Sequence, residues 1–215
     1  MTIPGTCSGQ PLPDGWRWVK LGAVCEFIRG VTFDKAEVSV FPEDGRVPIL
    51  RAGNIGLRLD TINDLIWVPN RRVSPEQLLR VGDAAICMSS GSANVVGKTA
   101  PIEGEWKGSV GAFCGIVRAK NPSTADFVNL WFRSRLFLDW RDDQARGANI
   151  QNLRFSQLSK LEIPLPPLDE QRRIAGVLRE QMAVVETVRS AAEEELNTIN
   201  ALPAALLRRA FNGEI

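Results

Sequence analysis

The segment Ile163-Pro164-Leu165-Pro166-Pro167 divides the chain and constrains what can fold on either side of it. Proline fixes its own backbone angle, lacks an amide donor and restricts the residue before it. Three prolines in five positions therefore predict an extended connector through which neither a helix nor a strand ladder runs. Immediately afterwards, Leu168-Asp169-Glu170-Gln171 puts two acids into what becomes a first helical turn, where they complement the exposed amides and the helix dipole. Apolar residues then recur at Ile174, Val177, Leu178, Val185, Val188, Ala192, Leu196, Ile199, Leu202 and Leu206, with arginine and glutamate between them. Steps of three and four over about 30 residues predict a long amphipathic helix with one seam to bury. At ~1.5 Å per residue, Asp169 to Leu202 spans roughly 50 Å, more than one small domain covers. The seam therefore calls for another helix, from a second copy, a partner protein or both. The plainer alternatives are a helix packed on its own domain or a solvated helical tail, but such surface helices usually run about 8 to 20 residues. Pro203 is expected to kink or break the helix, with Ala204 to Phe211 as a shorter second piece and Gly213 as its stop.

The first 163 residues have a different pattern. Short β-rich runs, Trp16 to Cys25, Val47 to Arg51, Ala84 to Met88 and Gly115 to Arg118, are separated by Gly, Asn, Pro and Asp turns. Two helices are expected among them: Ser74 to Arg80, with a serine cap and Pro75 at the first helical position, and Thr124 to Gln144, rich in Phe, Leu and Trp. Trp131 and Trp140 lie on the apolar side of the second, so core packing is expected of them rather than base stacking. The fold class is α+β: a mixed globule over residues 1–167, followed by a helical region over 168–215.

Composition narrows the chemistry. With 44% hydrophobic and 24% charged residues, a chain of 215 residues buries an ordinary core. No apolar run reaches the roughly 20 residues of a membrane helix, and Met1 to Pro13 does not read as a secretory leader; no membrane association and a cytoplasmic location are expected. There is no histidine, which removes Ser-His, Cys-His and histidine-metal mechanisms. Cys7, Cys25, Cys87 and Cys114 form no Cys-x-x-Cys pair and are expected as buried reduced thiols, with no metal. Net charge is only +1, yet residues 1–167 carry 20 Lys and Arg against 17 Asp and Glu, while 168–215 carry 6 against 8. Whatever positive potential phosphates need lies in the first part.

Three landmarks in order carry a family resemblance. Leu12-Pro13-Asp14-Gly15-Trp16-Arg17-Trp18-Val19-Lys20-Leu21-Gly22 resembles the opening of a target-recognition domain in type I restriction-modification specificity subunits. Asn149-Ile150-Gln151-Asn152-Leu153, with Leu158, the proline segment, Glu170-Gln171 and Ile174, resembles that domain's join to a spacer helix. Leu202-Pro203 and Leu206 to Ile215 are similar to the end of the helical region. The resemblance implies a globule that reads a few base pairs of double-stranded DNA, attached to a helix that acts as a ruler and docks DNA methylation subunits, with restriction subunits as further partners. Family members commonly carry two recognition domains and two helices, and this chain has one of each. Two copies are therefore expected to pair their helices antiparallel as a homodimer, through Ile174, Leu178, Val185, Val188, Ala192, Leu196, Ile199, Leu202 and Leu206, and to read an interrupted palindrome.

Catalytic signals are thin. Gly91 to Thr99 mimics a phosphate-binding loop, but it has five residues between its glycines and meets Pro101 and Gly104 where a helix must start. Glu105-Trp106-Lys107 offers half of a nuclease pattern with no well-placed second carboxylate. Neither Pro166-Pro167 nor Asn121-Pro122-Ser123 supplies the polar group and aromatic ring that methylation of a flipped base uses. A non-enzymatic chain without cofactor is expected, with S-adenosylmethionine held by the methylation subunit. The rivals are an assembly or decoy protein that binds methylation subunits without reading DNA, and a stand-alone nuclease or methyltransferase. DNA contacts are expected from loop donors: Ser89, Ser90, Ser92, Asn94 and Lys98; Arg146, Asn149 and Gln151; Arg51 and Asn54; and Arg71 with Arg72.

Overall fold

The computed structural model describes residues 11–92, 94–146 and 152–213. The chain divides into two compact units, one up to Arg172 and one from Arg173 onward. In the first unit, the run expected from Trp16 to Cys25 is split. Strand β1 (Arg17–Lys20) gives way to one helical turn, α1 (Leu21–Val24), before β2 (Cys25–Arg29). The cause is a long-range contact: the Leu21 and Gly22 amides donate to the Leu161 and Ser159 carbonyls at 2.7 and 3.1 Å. A Cβ at Gly22 would stand 2.9 Å from the Ser159 side chain, so only glycine allows that approach.

The further strands are β3 (Arg46–Leu50), β4 (Ile66–Pro69), β5 (Ala84–Cys87), β6 (Thr99–Pro101), β7 (Ser109–Val110), β8 (Cys114–Ala119) and β9 (Glu162–Leu165). The order β2-β8-β5-β6 makes a four-stranded antiparallel sheet. In β4-β3-β7, β3 runs antiparallel to β4 and parallel to β7. The interior pair β5 and β8 reads as near-continuous apolar sequence because almost every residue in it is buried.

The proline segment is a correction. It carries a ladder after all, since β9 pairs with β1, Ile163 opposite Val19 and Pro164 opposite Trp18. The sheet has only two strands, so each keeps one free edge, and an edge position is where a residue lacking an amide donor is tolerated.

The two expected helices are shorter than anticipated. Ser74 to Arg80 reduces to a 3-10 turn at Pro75–Gln77, with the Ser74 amide donating to the Gln77 side-chain oxygen at 3.1 Å. Thr124 to Gln144 becomes α2 (Ala125–Trp131) and α3 (Arg135–Arg146). The break falls at Ser134, whose carbonyl accepts the Leu138 amide at 3.0 Å and so starts the second helix. Trp131, Phe132, Phe137 and Trp140 are buried against one another with ring centroids 4.8 to 5.7 Å apart, as core residues. A short helix, α4 (Phe155–Leu158), precedes β9.

One buried ion pair ties the sheet to the chain beside it. Arg118 donates to both Asp83 carboxylate oxygens at 2.9 and 2.7 Å, and to the Glu76 and Leu78 carbonyls at 3.1 and 2.8 Å. Cys25, Cys87 and Cys114 are free and buried, as expected, and burial pushes the Cys25 thiol up to about 12. Cys7 lies outside the described residues.

Helix α5 (Leu168–Phe211) starts where the prolines end, with Asp169 and Glu170 in its first turn. It runs through Pro203 without the expected break, for 44 residues or roughly 66 Å. Proline removes one i to i−4 bond, and on this solvent-exposed stretch water can satisfy the carbonyl left over. Gly213, at φ +74°, stands past the end as expected of a stop. No described helix is long and apolar enough to cross a membrane.

Candidate nucleic-acid interface

Three chain reversals meet at one end of the four-stranded sheet. Cys87, last in β5, lies opposite Cys114, first in β8, and Ile86 lies opposite Thr99, first in β6. The loop 88–98 and the turn from Gly111 to Cys114, closed by a 2.8 Å bond between their amide and carbonyl, therefore project from the same edge. The Phe113 carbonyl accepts the Met88 and Ser89 amides at 2.8 and 3.0 Å, and the Met88 carbonyl accepts the Leu153 amide at 2.7 Å. Ser89 also bridges to Asn152. Met88 and Ser89 are thus clamped between the turn and the residues that follow the 147–151 segment. Strand β3 ends here too, because the Leu50 carbonyl accepts the Gly111 amide at 2.9 Å, so Arg51 begins its loop beside that turn.

A common core stiffens these loops. Leu50, Ile55, Cys87, Val110 and Cys114 are buried together, and Ala52, Leu59 and Val95 of the two long loops pack on them. Within loop 88–98, Gly97 has φ +77° and donates its amide to the Cys87 carbonyl at 2.8 Å. The Arg141 methylenes lie against it: a Cβ there would stand 2.6 Å from the Arg141 Cγ. The Arg141 guanidinium bonds Asp142 at 2.8 and 3.0 Å, and the segment leads into β6 rather than into a helix.

The expected DNA-contacting residues separate into groups. Ser92, Asn94 and Lys98 are exposed on loop 88–98, while Ser89 and Ser90 are half-buried, and Ser90 Oγ accepts the Ser92 amide at 3.2 Å. Arg51 is exposed at the same edge and donates to the Asp64 carbonyl at 2.9 Å. Arg146 is the last residue of α3; Asn149 and Gln151 lie outside the described residues.

Asn54 and the pair Arg71 and Arg72 stand apart from that group. Asn54 is 3% exposed and holds its own loop together, accepting the Arg51 amide at 2.8 Å and donating to the Asp60 and Asn63 carbonyls at 3.1 and 2.8 Å. Its amide has no group left to offer a base. Asp60 supports the same loop, and the Asn63 amide, with further bonds from the Asn63 side chain and the Ile62 amide, holds its carboxyl below the usual range. Arg71 and Arg72 follow β4, at the opposite end of β3 from Arg51, because Pro69 pairs with Arg46. There both engage Glu37, at 2.6 and 2.8 Å, and the Arg72 hydrogen bond lowers the Glu37 pKa. They do not join the loop edge.

Phe113, Asn152 and Arg141 take their place at this edge through pairings that no sequence window contains, although Gly111-Ala112-Phe113 between two apolar runs does carry a turn signal. Among the described residues, no group of three or more His, Cys, Asp or Glu is arranged to hold a metal ion.

In the second unit the expected seam is laid out as a ladder. Leu178, Val185, Ala192, Ile199 and Leu206 recur at intervals of seven, flanked by Val188, Leu196 and Leu202. All are exposed, Val185 to 66%, whereas water-facing helices ordinarily carry polar side chains at such positions.

The described residues thus form a globule whose loops meet at one packed edge, followed in sequence by a long helix with an exposed apolar seam. The chain belongs to the family of the type I restriction modification DNA specificity domain, whose model matches residues 13–197. It is 33% identical over 208 residues to the type I restriction enzyme EcoKI specificity subunit of Escherichia coli K12, covering 97% of this chain and 45% of that protein. It is 32% identical over 204 residues to the StySPI specificity subunit of Salmonella potsdam, covering 95% and 44%. A chain solved in work on complex assembly and conformational transition of the type I R-M system superposes with a TM-score of 0.71 at 25% identity, covering 97% of this chain and 49% of that one. The HsdS subunit of Thermoanaerobacter tengcongensis shares the fold, with a TM-score of 0.62 at 23% identity over 86% of this chain and 42% of that one. The chain spans about half the length of the curated relatives it matches.

Proposed function

We propose that this chain is the sequence-reading, non-catalytic component of a type I restriction-modification complex, in which the globule over 1–167 reads one half of a bipartite DNA site and the helical region over 168–215 sets the distance to the other half. The observation that carries the reading is that a single DNA-specificity family model runs across both units, residues 13–197.

Readout needs phosphate contacts for register and base-edge contacts for sequence. Lys98 and Arg51 suit the first role, and Ser90, Ser92 and Asn94 suit the second; all five stand on loops at one stiff edge. Because a stiff loop loses little entropy on binding, contacts from it discriminate more sharply than contacts from a slack one. The Arg146, Asn149 and Gln151 segment continues that edge in sequence and is assigned to the same interface.

The ladder on α5 supports pairing with a second copy. Apolar residues every seven positions are the repeat of a left-handed coiled coil, and each Leu, Ile or Val fully buried there contributes about 1.5–3 kcal/mol. An antiparallel pair places one globule at either end. The target is then an interrupted palindrome whose unread gap follows the helix length. The outer faces of the pair dock methylation subunits, which hold S-adenosylmethionine and perform the chemistry; a restriction subunit joins where cleavage occurs.

The test is a genome-wide methylation map of cells with and without the chain. The reading predicts a methylated, interrupted palindrome that vanishes with the chain. A map that does not change contradicts it, and points to an assembly or decoy role if the chain still binds methylation subunits.

A further inference from the structure

Polar side chains do not account for everything presented at the loop edge. Phe113 stands at the tip of the turn between β7 and β8, with 69% of its surface exposed. Its backbone is fixed by the two amides its carbonyl accepts and by the closure of the turn beneath it. The same bonds that clamp Ser89, which in turn bridges to Asn152, fix the Phe113 backbone on the edge where Arg51 emerges, with its ring exposed.

The contrast with other rings is informative. Trp131, Phe132, Phe137 and Trp140 are buried in the core. Phe41 is as exposed as Phe113, but Glu43 and Asp44 follow it, and the Ser39 hydroxyl lies within hydrogen-bond distance of both the Glu43 carboxylate and the Phe41 carbonyl. Arg46 pairs with Glu43 at 2.7 Å, and Asp44 remains as a carboxylate close to the ring in sequence. The residues tied to the Phe113 turn, Met88, Ser89 and, through them, Asn152 and Leu153, carry no acid, so a duplex can approach until a ring meets base edges.

A phenyl ring has no donor or acceptor. The one apolar group that base pairs display on a groove edge is the C5-methyl of thymine, in the major groove. We propose that Phe113 is a specificity-determining residue that packs on a thymine methyl within the half-site, adding an apolar selection to the polar readout by loop 88–98. The inference rests on the DNA-reading function proposed above and names one of its contacts.

The experiment measures binding of the full chain, with its methylation subunits, to the mapped site and to every single-base-pair variant of one half-site, for the unmodified protein, Phe113→Ala and Phe113→Leu. At one thymine position, the unmodified protein is expected to lose about tenfold in affinity on base-pair replacement. Replacing that thymine by uracil, which removes only the methyl, is expected to cost about fourfold. Phe113→Ala should be indifferent to both changes at that position yet discriminate normally at all others, and Phe113→Leu should retain part of the preference. If Phe113→Ala keeps the unmodified pattern throughout, or weakens every sequence alike, the inference is overturned. It is equally overturned if uracil is accepted as well as thymine while an unstacking reporter such as 2-aminopurine brightens, which marks the ring as a wedge. Should the unmodified protein prefer no base at any position, the DNA-reading function fails first and takes this inference with it. Since the ring is exposed, both variants are expected to fold, and circular dichroism checks that they do.

Discussion

The two units of this protein solve the problem of apolar surface in opposite ways. The globule buries most of its apolar side chains internally, down to 0% exposure at Leu50, Ile86 and Ile116, and leaves only scattered ones such as Phe41, Ile62 and Phe113 in water. The helix beyond Arg172 leaves a ladder of Leu, Ile and Val in water and has no interior to put it in. That contrast underlies the proposed division of labour, in which the polar loops of the first unit read the DNA and the seam of the second is completed by another helix.

Four variants probe that division, from the largest effect to the smallest. Val185→Asp with Ile199→Asp places two charges on the ladder. Pairing is expected to be lost by sedimentation, and affinity for the complete site to fall by about 10²–10⁴ as two linked contacts become one, with the globule's unfolding midpoint unchanged. Asp83→Ala leaves the Arg118 guanidinium buried without its carboxylate. It should cost the globule about 3–5 kcal/mol in denaturant unfolding while sparing helix pairing.

Asn54→Ala removes the three bonds that close its loop and is expected to cost about 1–3 kcal/mol. Asp60 adds a pH dependence to that same loop. Its carboxyl titrates below the usual range in the folded protein, so its contribution is complete above about pH 4 and fades as pH falls through the folded-state value. Faster hydrogen exchange of the amides at residues 55–64 near pH 3 than near pH 5, after correction for intrinsic rates, is the expected result. The mildest effect is that of Lys98→Ala, which should weaken binding a few-fold for all sequences alike and reduce the salt slope by about 0.9.

The same contrast decides how much could be read from sequence. Strands β3, β5 and β8 were legible because burial on both faces leaves uninterrupted apolar runs, and the start of α5 because prolines and acids fall in the right order. The ladder was legible for the same reason, since a seam is a local, periodic property. Pro164 and Pro203 misled because the cost of a missing donor depends on what faces it: a free sheet edge in one case, water in the other. The apolar run from Thr124 to Gln144 read as one helix, and the structure breaks it at Ser134.

At the candidate site, loop 88–98 was visible as a polar, glycine-rich stretch, but the fate of individual side chains was not. Arg71 and Arg72 are drawn off by Glu37, more than 30 residues away, and Asn54 turns inward to carbonyls of its own loop. Phe113 reaches the edge only because β8 pairs with β5. Exposed polar residues look alike in sequence, and only tertiary pairing determines which of them remain available to a ligand.

Everything proposed for the helix turns on the number of copies that assemble. Native mass spectrometry of the purified complex with its methylation subunits, bound to a duplex carrying the mapped site, counts them directly. The account predicts two copies of this chain per duplex, with crosslinks joining residues near Leu178 of one copy to residues near Leu206 of the other. A complex that reads the whole site with one copy contradicts it.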